Sequence, residues 1–384
     1  MTDTESLRAR TILMGWLEAQ HLLDGARLPS ERDLAEHLSL SRAAVRRALQ
    51  AIESDGLVVR RDDERLAATM APRSLAGSVV VFTSSATIPL PNGPPAREDP
   101  RRVWLGMVSE LAARNLPMVT VPLHGEIRPS LRRIERERPL GCICLMDAVA
   151  TGVARQVVDA AWPASIPVVM HGDCLVANDL DRWPADLVAA DQSTGAEMLV
   201  DWLVAHGRTC IQSVTERPTS KRPLDLWWVA LRRAGISKAL LRHGLTSRPW
   251  VHILRDPEFD FSSASLDEQA RITAGYLLEA CRAGVDAMML INDGMAYDVG
   301  MALRLFDREP NRDILLAGYD HHHHLFNPIL SAHARSRPIV TIDKDEPEIG
   351  RQLVTLLVER AQRRLPPEPQ RRLVAPRLIE IGEP

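Results

Sequence analysis

The chain has 384 residues, 45% of them hydrophobic, and a formal net charge of −3. That length exceeds one typical domain and allows a sizeable core. The near-neutral charge excludes binding to nucleic acid through a global basic field, so any such affinity must sit in a local patch. The N-terminus, MTDTESLRAR, has no apolar leader region and no stretch is apolar for long enough to span a bilayer, so a soluble cytoplasmic protein with no membrane partner is expected.

Leu7 to Leu23 is predicted helical, with Ile12, Leu13, Trp16, Leu17 and Leu23 available for packing and Asp24-Gly25 as a stop. Leu28 to Gly56 then reads as two short amphipathic helices around the polar turn Ser39-Leu40-Ser41. Ser30 and Asp33 have the spacing of a capping box, which can satisfy two orphan amides at the start of the first helix. Leu34, Ala35 and Leu38 give that helix an apolar side, and Ser41 is a good N-cap for the second helix. On the second, Val45, Ala48, Leu49 and Ile52 form one stripe at helical spacing. Ala43, Arg46, Arg47 and Gln50 fall on the opposite side, with Arg42 on the flank, and Gly56 ends the helix. The plain alternative is a solvated face on an arginine-rich chain. Guanidinium forks and an amide beside small residues are also how a helix reads a major groove: Arg for guanine edges or phosphates, Gln for adenine, Ala for a thymine methyl.

The stretch LPSERDLAEHLSLSRAAVRRALQAIESDGLVVRR resembles the winged helix-turn-helix of the GntR family of bacterial transcription regulators, over about Leu7 to Thr69. The resemblance implies a double-stranded DNA partner, with Arg32, Ser41, Arg42 and Arg46 at phosphates and bases. Residues 57–61 and 65–69 are the expected wing hairpin. Its tip, Asp62-Asp63-Glu64, departs from the family's glycine and basic or small residues and repels phosphate, while Arg60, Arg61 and Arg65 can reach the backbone. A winged helix-turn-helix domain over 1–70 and a linker over 71–77 follow.

A different grammar then begins. Apolar strands are predicted at 79–82, 118–121, 141–146, 168–170, 209–214, 251–254, 287–291 and 314–317. Helices are predicted at 103–115, 130–137, 153–161, 193–206, 226–234, 266–283 and 296–307. Thr83 to Pro100 reads as a loop. Strand-helix alternation of this kind means a parallel α/β architecture with right-handed crossovers. Ligands in such sheets sit beyond the carboxyl ends of strands, which here carry Ser84, Asp147, His171, Asp173, Asn292, Asp293 and Asp320.

The pieces DAMMLINDGMAYDVGMAL, ILLAGYDHH, RPIVTIDKDEPEIGRQLVTLLVERA and RRLVAPRLIEI resemble, in order and spacing, the effector-binding core of the LacI/GalR family, over about Gly77 to Gly382. The resemblance implies a periplasmic-binding-protein-like α/β domain over 78–384. Subdomain 1 would be about 78–189 plus 344–372, and subdomain 2 about 190–343 plus 373–384. Three strand crossings would lie near Ala190, Asp343 and Leu373, with an effector cleft between the subdomains. A GntR-type head on such a body is the arrangement of the arabinose-operon repressor type. By position Asn292, Asp320 and Asp173 match polar effector contacts. At the family's effector arginine this chain has Leu224, with Arg222 two residues earlier, and Phe259 or Phe261 can supply an aromatic face for a sugar. The implied function is a homodimeric repressor on an imperfect palindrome, released or retained by a small molecule, most simply a sugar or related polyol. A non-sugar effector, a metal effector or none at all are the alternatives.

Neither an enzyme nor a cofactor is expected. Some GntR-headed regulators carry an aminotransferase-like body with a Schiff-base lysine. Here the lysines are Lys221, Lys238 and Lys344 only, none in a recognisable site, and GxSxG, Walker and HExxH motifs are missing. An exported solute-binding protein would not need the N-terminal head. Cys142, Cys144, Cys174, Cys210 and Cys281 are scattered in apolar runs without a CxxC pair, so free buried thiols are expected. His321 to His324 offer imidazoles to Zn²⁺ or Ni²⁺, but lack i,i+4 spacing and a second cluster, so no metal site is expected.

Overall fold

The computed structural model describes residues 9, 12–13, 28–38, 40–54, 58–61, 65–68, 75–83, 100–123, 127–150, 152–174, 184–216, 227–254, 263–323 and 336–382. The head contains helices α1 (Glu31–His37) and α2 (Arg42–Ser54) and the antiparallel hairpin β1 (Val58–Arg61) and β2 (Arg65–Ala68). Its core joins Ala9 and Leu13 of the preceding helical segment to Leu28, Leu34, Ala35, Ala44, Val45, Ala48, Leu49 and Ile52. The apolar stripe of α2 is therefore the face that packs, as its spacing predicts. Ser41 caps α2, its Oγ accepting from Ala44 N at 3.2 Å. The predicted capping box at α1 is only half formed. Ser30 Oγ accepts from Asp33 N at 3.2 Å, but the return link is the hydroxyl donating to Asp33 Oδ2 at 2.7 Å. Aspartate is one methylene shorter than the usual glutamate, so its carboxylate meets the serine hydroxyl instead of an amide.

Two six-stranded sheets follow. The first has the order β13-β7-β6-β5-β3-β4, and all its pairs are parallel. It comprises β3 (Val79–Thr83), β4 (Met118–Pro122), β5 (Gly141–Cys144), β6 (Val168–His171), β7 (Asp186–Ala190) and β13 (Arg371–Val374). The second has the order β14-β12-β11-β10-β8-β9. It comprises β8 (Ile211–Glu216), β9 (Val251–Ile253), β10 (Ala287–Leu290), β11 (Leu315–Ala317), β12 (Val340–Asp343) and β14 (Arg377–Glu380), with only β14 antiparallel to its neighbour. We call the unit around each sheet a lobe.

Both sheets are covered on both faces, which is why their strands read as unbroken apolar runs. In the first lobe Val80, Phe82, Cys142 and Cys144 face a core shared with α4 (Arg128–Glu137), α5 (Met146–Ala150) and α6 (Val153–Ala161). Val79, Val81 and Ile143 face α3 (Pro100–Ala113) and α11 (Glu346–Ala361). In the second lobe Met288, Leu290 and Leu316 pack on α9 (Ser263–Arg282) and α10 (Met295–Arg304). Ala287, Met289, Leu315 and Ala317 pack on α7 (Gln192–Ala205) and α8 (Trp227–Arg242). Cys142 and Cys144 are buried and form no disulfide, and burial pushes the Cys142 thiol up to about 12. Among the described residues no helix is long and apolar enough to cross a membrane.

Three differences from the sequence reading have physical causes. Strand β7 is missing from the predicted elements because it opens on an acid. Asp186 is nonetheless buried, with Arg360 Nη2 at 2.6 Å from its Oδ1 and Gln370 N at 2.7 Å. Strand β5 ends at Cys144, and Met146–Ala150 turns into a short helix. The last crossing lies at Ala375–Pro376, two residues beyond Leu373, since Leu373 and Val374 still pair with Ala189 and Ala190. Pro376, which has no amide hydrogen to donate, then interrupts the ladder.

Helices α3 and α11 approach at two glycines. A Cβ on Gly106 would lie 2.0 Å from Pro347 O, and one on Gly350 would lie 2.1 Å from Val103 O. Gly275, inside α9, has nothing within 4 Å of an added Cβ. Gly350→Ala is expected to destabilise by about 1–3 kcal/mol through overpacking against backbone. Gly275→Ala should stabilise by about 0.5–1 kcal/mol through helix propensity. Denaturant unfolding followed by circular dichroism checks both, and a destabilised Gly275→Ala would contradict the open face.

Candidate functional site

Two sites emerge, one on the head and one where the lobes meet. On α2, Ala44, Val45, Ala48 and Leu49 are buried while Arg42, Ala43, Arg46, Arg47 and Gln50 are exposed, as is Ser41 at its start. The Arg46 side chain is 63% exposed, and its Nε lies 3.0 Å from Glu31 Oε2 across the two helices. An exposed pair of this kind is worth about 0–1 kcal/mol, so it orients Arg46 without locking it. Arg32 is 71% exposed and lies 3.6 Å from Asp33 Oδ1. Arg61 is placed by backbone only, opposite Arg65 at the end of the hairpin ladder. Asp62, Asp63 and Glu64 at the expected wing tip, and Gly56, lie outside the described residues. The result is one helix face on which close-approach residues and cations alternate, backed by an aliphatic seam.

Where the lobes meet, the carboxyl ends of the strands deliver a dense set of buried charges. From β6 come His171 and Asp173, with His171 Nε2 at 3.5 Å from Asp173 Oδ2 and Ala190 N donating to Asp173 Oδ1 at 3.3 Å. From β11 comes Asp320. Arg232 Nη2 of α8 donates to its Oδ1 at 2.9 Å, and Lys344 Nζ lies 3.2 Å from the same oxygen. Burial alone would raise the Asp320 carboxyl, but Lys344 and Arg232 outweigh it and hold the group well below the usual carboxylate range. Arg232 is itself fixed. Its Nε donates to Gln192 Oε1 at 2.8 Å, its Nη1 donates to Ile291 O, and its guanidinium lies 3.4 Å from the Tyr319 ring and 4.5 Å from that of Trp228.

The turn that presents Asp320 is strained. Asp320 and His321 both have positive φ, 86° and 54°, which costs about 1–3 kcal/mol each for ordinary side chains. Asp293, fully buried after β10, holds the turn in place. Its Oδ2 accepts from His322 N at 2.7 Å and His323 N at 3.1 Å, and its Oδ1 accepts from Thr341 Oγ1 at 2.7 Å. Asn292 is half-buried, and its Oδ1 accepts from Met295 N at 3.2 Å at the start of α10. Past β12, Lys344 also lies 3.5 Å from Glu346 Oε1. His322 Nε2 is 3.4 Å from Glu346 Oε2, and Arg102 Nη1 is 3.6 Å from it. Burial would lower the His322 imidazole, but the hydrogen bond to Glu346 carries it above its ordinary value.

The structure thus brings His171 and Asp173 of the first lobe and Asp320 of the second to one group of charges around Lys344, while Asn292 stands at the end of β10 and caps α10. Asp147 sits instead in the first turn of α5, not at a strand end. Ser84, Arg222, Leu224, Phe259, Phe261 and His324 lie outside the described residues. The sequence reading missed Arg232, Lys344 and Glu346. Arg232 was detectable: it shares the apolar stripe of α8 with Val229 and Ile236, which are also buried, and a guanidinium on a buried stripe needs a partner. His321 and His323 stack edge to face at 5.2 Å while His322 turns to Glu346. Among the described residues no group of three or more His, Cys, Asp or Glu side chains has metal-binding geometry.

Residues 6–66 match the family model described as bacterial regulatory proteins, gntR family. A comparison with curated proteins by sequence finds no match. Among solved structures, the chain is similar to a LacI-family regulatory protein from Chloroflexus aggregans (TM-score 0.58, 20% identity, 80% of this chain and 98% of that one). It is also similar to the transcriptional regulator CelR in complex with cellobiose (TM-score 0.54, 19% identity, 92% and 98%). A third is the lac repressor dimer bound to operator and the anti-inducer ONPF (TM-score 0.53, 20% identity, 81% and 94%). The class is therefore plain: a DNA-binding transcription regulator with a GntR-type winged head on a body of the LacI-type fold.

Asp173 gives a check on the buried charges. Burial would raise its carboxyl, but His171 and Lys344 bring it down to about 2. A depressed carboxylate contributes stability above its unfolded value that is lost as pH falls toward its folded one. The stability advantage of wild type over Asp173→Asn should be full at pH 6, about 2 kcal/mol from this source, and should shrink as pH falls from about 4 toward 2. Denaturant midpoints across that range measure it. A difference independent of pH would remove the carboxylate's assigned charge.

Proposed function

We propose that this protein is a repressor that acts as a homodimer on an imperfect palindrome, with α2 of each copy in a major groove. Arg42, Ala43, Arg46, Arg47 and Gln50 read base edges, while Arg32, Ser41 and Arg61 hold phosphates. The observation that carries this reading is the division of α2 into a wholly buried aliphatic side and an exposed Arg/Ala/Gln side. A solvated helix would not need small residues between its guanidinium groups.

The lobes supply the control. A sugar or related polyol in the cleft is held by Asp173, His171, Asn292 and Asp320, with Arg232 fixing Asp320. Ser84, Asp147, Arg222 and Phe259 are further candidates from the sequence. Ionised carboxylates, an amide and an imidazole offer the mixed acceptors and donors that neutral hydroxyls take in pairs. The cellobiose complex of CelR, which shares the fold, supports a carbohydrate. Coupling of about 1–3 kcal/mol between cleft and head changes operator affinity 5–150-fold.

The test separates the two halves. Arg46→Ala should lose discrimination between operator and random duplex by about 1–3 kcal/mol, while its melting temperature still rises with whichever of L-arabinose, D-xylose or cellobiose stabilises the wild type. A ligand at a hundred times its Kd stabilises by about 2.7 kcal/mol. Unchanged discrimination in a titration sinks the reading of α2.

A further inference from the structure

Lys344 stands on the segment that carries the chain from β12 of the second lobe to α11 of the first. Its ammonium lies between Asp320 of the second lobe at 3.2 Å and Glu346 of the first at 3.5 Å. The side chain is 12% exposed. Both carboxylates have other cations. Asp320 keeps Arg232, which three hydrogen bonds and two aromatic rings hold in place. Glu346 keeps His322 and Arg102. Breaking a buried pair is costly chiefly because it strands the remaining charge. Lys344 can therefore leave without stranding either partner. It is also the mobile kind of cation, a point charge on a flexible four-carbon stem. Removing Arg232 would instead take away the cation that fixes Asp320.

We infer that Lys344 is a tethered competitor for the effector: its ammonium clamps Asp320 to Glu346 across the two lobes, and an effector hydroxyl pair that takes Asp320 must displace it. Leu231 of α8 in the second lobe already packs on the first-lobe core, so the clamp acts across surfaces in contact. Two more carboxylates belong to this buried set: Asp173 faces Lys344 and has His171 Nε2 3.5 Å from its Oδ2, and Asp343 has Arg102 Nη2 at 3.4 Å from its Oδ1 and Arg377 Nη2 at 3.0 Å from its Oδ2. An uncharged polyol adds no further charge to this buried set, whereas a sugar acid or an amino sugar would. The exchange step rests on the cleft being the effector site; the clamp itself does not.

The experiment uses the full chain with nitroxides on keto-bearing residues at Arg155 of α6 and Glu279 of α9, both exposed, diluted with unlabelled protein so that distances are within one copy. Without sugar, wild type and Lys344→Arg should give one narrow distance. Lys344→Gln, and independently Glu346→Gln, should broaden it toward longer values. Distributions that superimpose on wild type in both variants overturn the clamp. In titrations with L-arabinose, D-xylose and cellobiose, the half-saturating concentration of any sugar that binds should fall about tenfold in Lys344→Gln. Weaker binding in that variant overturns the competition and makes Lys344 a ligand contact. If no sugar binds either protein, the effector reading and the exchange step fail, and the distances still decide the clamp.

Discussion

The body of this protein is arranged around one buried carboxylate, that of Asp320, and the cations that keep it ionised. Taking such a charge out of water costs several kcal/mol unless geometry and hydrogen bonds compensate. Here the compensation comes from Arg232 at 2.9 Å and Lys344 at 3.2 Å. Arg232 is in turn held by Gln192, by Ile291 O and between two aromatic rings, so the pair is anchored in the second-lobe core. The strained turn at Asp320 and His321 persists because Asp293 and Thr341 hold its other groups. A group held this way in a sheet's carboxyl-end crevice is preorganised for a polar ligand, since its orientation is fixed before anything binds.

The head obeys the same logic with the dielectric reversed. Its charges stay in water, where the Glu31–Arg46 contact is weak, and its rigidity comes from an aliphatic seam of Ala44, Val45, Ala48, Leu49 and Ile52. Weakly held guanidinium groups on a rigid helix suit a surface whose partner carries its own dense charge. Strongly paired arginines would have to break those pairs on every encounter.

The two lobes are joined by crossing segments that carry buried charges. Asp343, Lys344 and Glu346 stand where the chain leaves one sheet for the other, and each has an ion pair to another element. On the proposed reading, polar contacts concentrated at these crossings make the relation between the lobes depend on a few interactions, which a small ligand would shift by binding one arrangement better.

Much of this was legible from consecutive residues. The packing face of α2, the Ser41 cap, the sandwiching of apolar strands and the strand-end placement of His171, Asp173, Asn292 and Asp320 all follow from spacing along the chain, because periodicity of 3.6 or 2 is a local property. The half-formed capping box and the early end of β5 were not, since they turn on one methylene and on where a ladder loses its partner. Strand β7 was hidden because Asp186 looks like a loop residue until Arg360, 174 positions away, neutralises it. Arg232 and Asp320 are 88 positions apart, and Arg102 and Asp343 are 241. Patterning along the chain settles which face of each element is buried. Which charges meet inside was a matter for the folded chain alone, because electrostatic pairing follows distance in space and nothing in a local pattern encodes it.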